Sequence, residues 1–348
     1  VIEGRVVWVV DGYTATSRYP YAEPIDVRGL RRENGLAQAA GSNYVRNSVK
    51  VTVDAYDGTM TFYVVDDNDP LVRTYQRIFP SLFTDGSKMP TDLVAHLRYP
   101  EELFVTQSQL FGRYHVSDPV DFYQRLDVWE RALDSGLSTV SSRTAAGVSE
   151  QQIADPYYLL MALPGSQTQE FVMMQMFTPT NKQTLSAFMV ARSDPAHYGE
   201  LIAYQMPRSL QVVGPSQVDG LIQSDDKVSR DISLLSGAGS EVLQGNLQLI
   251  PVGNSLLYVR PLYVRGEGGS ARVPVLRKVV AVLGEKVGSG DRLDDALVEL
   301  FGTDVLGGAG SGAGSAGSES ESESGSGSES GSGSAAGSEA AGATRPDS

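Results

Sequence analysis

The sequence predicts an α+β protein with a largely antiparallel sheet, a helical insertion in its first lobe and a disordered acidic Gly/Ser tail. Three observations predict it. From Tyr157 to Leu283 the chain is dominated by short runs of β-branched, aromatic and aliphatic residues broken by turn residues. Helical spacing is concentrated between Pro70 and Trp129. From Gly307 to Ser348 almost every residue is Gly, Ser, Ala or Glu, with nothing large and apolar to bury. The 348 residues suit two domains at roughly 150 residues each. They divide into a mixed strand and helix lobe (1–134), a linker or long loop (135–155), a mainly β lobe (156–303) and the tail (304–348).

In the first lobe, Arg5 to Val10 reads as a strand. Lys50 to Asp54 and Thr59 to Val65 alternate around Asp57-Gly58, which predicts a hairpin with a tight turn. Asp69 before Pro70 pairs a helix N-cap acceptor with a first-turn proline, and Leu71, Val72, Tyr75, Ile78 and Phe79 follow at helical spacing, so a helix runs to about Phe79. Pro90 starts a short helix through Leu93, Val94 and Leu97. After Pro100, a third presents Leu103, Phe104, Leu110, Phe111 and Tyr114. Two further helical pieces carry Phe122, Tyr123, Leu126 and Trp129.

The second lobe predicts strands at Tyr157–Leu163, Glu170–Phe177, Ser186–Ala191, Glu200–Met206, Glu241–Pro251, Leu256–Val264 and Val275–Leu283. A helical interlude spans Pro215 to Ser236, and Arg292 to Phe301 forms a last amphipathic helix. Met161, Met173, Met174 and Met176 fall in apolar strand runs, where methionine fills core gaps.

Charge and composition narrow the function. The formal charge is −14, of which Gly307 to Ser348 holds −5, leaving the rest of the chain at −9. Such a body repels phosphate backbones and anionic lipid, which excludes general nucleic-acid binding. With no cysteine, the chain has no disulfide framework, thiolate nucleophile or zinc ribbon. No apolar run reaches the roughly 18 residues of a membrane span. The chain opens on Val1 inside a strand, which reads as the later part of a longer protein.

Catalytic motifs are missing. His96, His115 and His197 stand in no H-x-x-x-H or H-E-x-x-H frame, and neither G-x-S-x-G nor G-x-x-x-x-G-K-[ST] occurs. Gly266 to Ala271 fits G-x-G-x-x-A, but Pro274 and the β-branched run around it oppose the helix that a dinucleotide site needs. No cofactor is expected. Asp66-Asp67-Asn68-Asp69 lacks the glycine and glutamate of a calcium loop and reads as a turn that caps the next helix. Asp225-Asp226 reads likewise as a helix start.

One segment points to recognition. Tyr13, Arg18, Tyr19 and Tyr21 lie beside Pro20 and Pro24 with no period of 2 or 3.6. Such residues make a poor core and a good contact surface, so these four are the candidate binding residues.

Several strings together resemble uncharacterised protein family 0182, large multi-pass membrane proteins of actinobacteria and cyanobacteria among others. They are Gly4-Arg5 with Trp8, Asp11-Gly12-Tyr13-Thr14, Arg18-Tyr19-Pro20-Tyr21, Asn43 to Lys50, Val53 to Gly58 and His96 to Pro100. In the second lobe they are Leu163-Pro164-Gly165, Phe177-Thr178-Pro179, Ala191 to Asp194, Tyr198-Gly199, Gly245-Asn246-Leu247 and Ser255 to Val259. The resemblance covers Val1 to about Gly302. It implies that Glu3-Gly4-Arg5 is native rather than a protease-site scar and that this is the C-terminal soluble portion of a cell-membrane protein, on the extracytoplasmic face. It carries no catalytic residues with it.

The leading functional expectation is therefore a non-enzymatic binding or scaffolding domain, partnered by the membrane-embedded N-terminal part of the same protein or by another envelope protein. The alternatives are a component of an envelope transport or assembly machine, which an apolar groove would favour, and a hydrolase or transferase assembled from distant segments, which converging carboxylates and a histidine would favour.

Overall fold

A computed structural model describes residues 1–27, 35–137, 152–207, 209–237, 240–266 and 273–302. The predicted tail, most of the 135–155 segment and most of the Gly266–Ala271 motif lie outside them. The described architecture is α+β, with antiparallel pairing throughout except at one parallel edge.

The first sheet has the order β1 (Val7–Thr16), β2 (Tyr44–Asp54), β3 (Met60–Val64) and β4 (Phe83–Asp85), the last pair being parallel. Strand β1 extends well beyond the predicted Val10, because it bends at Gly12–Thr14, where its register on β2 shifts, and then continues. The predicted hairpin is β2–β3, but its turn is wider than two residues. Asp54 N–H pairs with Thr59 C=O and only Gly58 takes a positive φ, 73°. The Asp54 carboxylate closes the loop by accepting from the N–H of Tyr56 at 2.8 Å.

Helix α1 (Pro70–Ile78) starts where the Asp-Pro pair predicts, with Asp69 accepting from Leu71 N–H at 3.0 Å. Asp69 does more than cap. It is fully buried and also accepts from the hydroxyls of Thr14 (2.5 Å), Ser48 (2.6 Å) and Tyr44 (2.8 Å), so one carboxylate ties β1, β2 and α1 together.

After α2 (Thr91–Ala95), α3 (Glu101–Tyr114) and α4 (Pro119–Gln124), the predicted helical Trp129 instead lies in β5 (Trp129–Arg131). Arg125 and Asp127 both take left-handed φ (55° and 59°), which stops α4 and turns the chain. Trp129 then pairs with Pro179 and stacks on His115 at 3.7 Å between ring centroids.

Strand β5 completes a five-stranded sheet with β8 (Tyr157–Ala162), β9 (Gln169–Pro179), β10 (Ala187–Arg192) and β11 (Leu201–Gln205). The two-residue strands β6 (Leu133–Asp134) and β7 (Gln152–Ile153) pair with each other beside it. A third sheet holds β12 (Ser240–Gln244), β13 (Gln248–Val252), β14 (Ser255–Gly266), β15 (Val275–Leu283) and β16 (Lys286–Gly290). The single strand predicted over Glu241–Pro251 is thus two. The break falls at Gly245, where a Cβ would stand 2.7 Å from the Pro261 ring. The Gly266 motif follows β14, whose neighbour β15 is antiparallel, unlike the parallel crossover of a dinucleotide fold.

Alternation decides the layers. Met174, Met176, Phe188 and Val190 face Leu249, Tyr258, Leu262 and Val280 across the two larger sheets, with Val218 and Ile222 of α5 (Pro215–Ser224) and Val228 of α6 (Asp226–Leu235) closing this core. The other face of the β9–β10 sheet buries Met173, Phe177 and Met189 against Phe104 of α3. The other face of the third sheet buries Val259 and Ala281 against Ala296 of α7 (Leu293–Phe301). The methionines are core filler, as their strand positions predict.

Between the sheets lies a charged group the sequence did not flag. Arg260 of β14 is fully buried and reaches Asp134 at 2.6 Å, Asp219 of α5 at 3.1 Å and the Gly245 carbonyl at 2.9 Å. Burial pushes the Asp219 carboxyl up to about 6; Arg260 pulls it back and Asp134 pushes it further. An acid whose folded pKa is raised binds its proton more tightly when folded, so its contribution falls as pH rises from the ordinary 3.8 to about 6 and is constant above. The stability difference between the parent and Asp219→Asn should therefore drift by about 2–3 kcal/mol over that window in denaturant titrations. A difference constant from pH 4 to 7 would show that Asp219 is ionised like an exposed carboxylate.

Candidate functional site

The segment after β1 is irregular but firmly held. Asn43, just before β2, accepts from Tyr19 N–H at 3.0 Å and donates to the carbonyls of Tyr19 (2.7 Å) and Ala22 (3.1 Å). Ile25 N–H bonds to Ser42 C=O at 2.8 Å. Tyr19 lies against Tyr44, with ring centroids 5.7 Å apart and planes 22° apart, and remains exposed. Tyr21 stands fully in solvent, with a left-handed φ of 57°, an uncommon and strained setting for a large side chain. Arg18 is exposed beside them.

Tyr13, the fourth residue of the predicted surface, is placed elsewhere. It sits in β1 at the register shift, half-buried, and packs on the cluster of Leu36 and Val105. Burial, and then the charges of Asp11 and Glu102, push its phenol well above the ordinary tyrosine value. In the sequence it falls in with the other three, because the continuation of β1 past Gly12 carries no alternation that marks it as strand.

Two residues past Tyr21, the same segment walls a cleft of about 330 Å³. Glu23 and Pro24 form one side, Thr106, Leu110 and Arg113 of α3 a second, and Trp129, Glu130 and Arg131 of β5 the floor. Glu23 accepts from Arg113 at 2.6 Å and from the Tyr114 hydroxyl at 3.3 Å, which joins the tyrosine segment to α3. Arg131 is buried; it donates to Gln175 Oε1 and the Ala154 carbonyl, both at 3.2 Å. Burial holds its pKa below the ordinary arginine value. The cleft mixes apolar side chains with both signs of charge.

A larger hollow, about 660 Å³, lies between Met206, Pro207 and Leu210–Val213 on one side and the ends of β14 and β15 on the other; among the described residues Leu210, Val212, Leu256 and Leu283 line it, with no charged side chain.

The histidines stay apart in local roles. His96 and His115 each place Nδ1 near a carbonyl one helical turn back, and His197 meets Glu200 at 3.3 Å. Among the described residues, no three His, Asp or Glu gather as a metal would need. Asp66 pairs with Arg46 at 2.7 Å rather than joining Asp69, and Asp225 caps α6 by accepting from the N–H groups of Lys227 and Val228.

Another buried cation, Lys50, also carries no local signal of its burial. Lys50 of β2 is buried, paired with Asp11 and 5.5 Å from the Tyr198 ring centroid. Burial lowers its pKa against the pull of Asp11. The local pattern is a basic residue inside a β-branched strand run, as in Val49-Lys50-Val51 and Tyr258-Val259-Arg260. On a half-exposed sheet such a residue reads as an outward position, and only a second layer over that face turns it inward.

Comparison with protein families matches residues 1–235 to the uncharacterised protein family UPF0182. This chain belongs to that family. Curated UPF0182 proteins are similar over most of it. The one from Trichodesmium erythraeum is 40% identical over 88% of this chain and 32% of its own length. Those from Methanospirillum hungatei and Microcystis aeruginosa are both 42% identical over 86% of this chain, covering 31% and 29% of their own lengths. The chain thus spans about a third of the length of the curated relatives it matches. No solved structure matches it. No helix among the described residues is long and apolar enough to cross a membrane.

Proposed function

We propose that this chain is the extracytoplasmic soluble region of a longer multi-pass membrane protein and serves as a non-enzymatic binding or scaffolding domain. It docks through Arg18, Tyr19 and Tyr21 onto the membrane-embedded part of the same protein or onto another envelope protein. The observation that carries this reading is Tyr21, fully solvent-exposed on a left-handed backbone, in a segment clamped by three Asn43 hydrogen bonds. A side chain offered to solvent on a pre-ordered support loses little conformational freedom on binding. Tyrosine and arginine are enriched at the energetic centres of interfaces, where a truncation costs on the order of 2 kcal/mol.

Tyr19→Ala with Tyr21→Ala should weaken binding of this chain, supplied separately, to membranes carrying the rest of the protein by about tenfold or more. Its unfolding free energy should change by no more than about 1 kcal/mol, since both rings are largely exposed. Unchanged binding would overturn the docking role, and a stability loss near 4 kcal/mol would make these rings structural.

The apolar hollow beside Leu256 favours a second reading, a part in envelope transport or assembly. Saturable uptake of a fatty-acyl probe, abolished by Leu256→Glu, would support it.

A further inference from the structure

The first residues form a tight two-residue turn between Ile2 and Arg5. Ile2 and Arg5 exchange both backbone hydrogen bonds, N–H of Ile2 to C=O of Arg5 at 2.8 Å and the reverse at 2.9 Å. The two residues between them, Glu3 and Gly4, have φ of 48° and 78°. Positive φ at both central positions of a two-residue loop is the signature of a type I′ turn, whose twist matches paired antiparallel strands. Arg5 is pinned on the far side by ion pairs to Asp54 (2.5 Å) and Asp57 (2.9 Å).

Strand β1, which this turn leads into, pairs only with β2 among the described residues. Parity then shows which backbone groups are free. Ala55 N–H bonds to Val6 C=O, so Val6, and with it Trp8 and Val10, direct their backbone groups toward β2. Val7, Val9 and Asp11 direct theirs to the open edge. Propagating the Ile2–Arg5 pair along a hairpin selects the same three residues, because hydrogen-bonded pairs recur at every second position. Two independent contacts, one to β2 and one across the turn, agree on this parity. Side-chain exposure fits an edge awaiting a neighbour: Trp8, Val9 and Val10 are 66%, 42% and 52% exposed in succession. A long apolar edge of this kind is normally covered or paired.

We infer that, in the longer protein, the residues immediately preceding Val1 run as an antiparallel strand along the free edge of β1, making β1 an interior strand. The inference rests on the reading of this chain as part of a longer protein, and it sets a register. The first residue before Val1 lies opposite Val7, the third opposite Val9 and the fifth opposite Asp11, each as a hydrogen-bonded pair. The second and fourth lie opposite Trp8 and Val10 and extend their apolar face, so this face favours β-branched or aromatic residues there.

The test is a cysteine pair in the full-length protein. Val10→Cys combined with cysteine at the fourth residue before Val1 forms a non-hydrogen-bonded pair, whose close Cα spacing suits a disulfide. The expected result is an intramolecular cross-linked peptide, at least about tenfold more abundant than with cysteine at the third residue before Val1, which points to the other face. Equal yields in both, none in either, or links only between two molecules would overturn the inference. Amide exchange in the unsubstituted full-length protein supplies a second readout: Val7, Val9 and Asp11 should exchange at least about tenfold more slowly there than in the chain that begins at Val1. Equal rates would overturn it. Neither measurement depends on Tyr19 or Tyr21, so its failure is distinct from failure of the docking reading.

Discussion

Replacing Arg260 with methionine is expected to remove about 3–5 kcal/mol from the unfolding free energy. The guanidinium holds Asp134 at 2.6 Å and Asp219 at 3.1 Å, and all three side chains are shielded from water. Breaking a buried charge group by removing one member costs that much because the remaining charges stay buried without compensation. Here two carboxylates would be stranded together, so the penalty should be largest near neutral pH and shrink toward pH 5 as one of them takes up a proton. Denaturant titrations at both pH values read this directly. Adding Asp134→Asn and Asp219→Asn to the same chain should recover part of the loss, since no unpaired charge then remains. A loss under about 1 kcal/mol at pH 7 would mean that water reaches the cluster and screens it.

The second large effect belongs to Asp69. Asp69→Ala is expected to cost about 3–4 kcal/mol, as it removes a helix cap and strands the buried hydroxyls of Thr14 and Ser48. Burial pushes this carboxyl up, but donors from Ser48, Thr14, Leu71 N–H and Tyr44 more than offset it, and the net direction is below the ordinary 3.8. An acid whose folded pKa is depressed contributes stability that is complete above its unfolded value and is lost as pH falls through the folded one. The gap between parent and variant should therefore hold at neutral pH and narrow only below the ordinary carboxylate range. Amide exchange at Leu71 should quicken in the variant, because its N–H loses its acceptor. A variant that loses stability without any change at Leu71 would place the cost elsewhere than in this network.

What the sequence determined is local. The Asp69-Pro70 start of α1, the Asp225 cap of α6, the β2–β3 hairpin and the strand positions of Met173, Met174 and Met176 all follow from preferences acting within a few residues. So does the exposure of Arg18, Tyr19 and Tyr21, whose spacing can build no buried face. Family membership was legible too, because it is carried by strings of residues rather than by their arrangement in space.

The tertiary structure decided the rest. Trp129 became strand because two left-handed residues turned the chain onto the edge of β9, and Tyr13 became half core because β1 bends and continues past Gly12. The cleft joins Glu23 to Arg113 across 90 residues of chain, and Asp134 meets Arg260 across 126. Pairings at such separations leave no periodic trace, since the closing of long loops is governed by the packing of whole layers and not by the residues beside each partner. A lone Arg or Lys in a strand is outward by every local rule. It turns inward here only because each sheet that bears one is covered on that face, and because acidic side chains from other segments arrive to meet the charge.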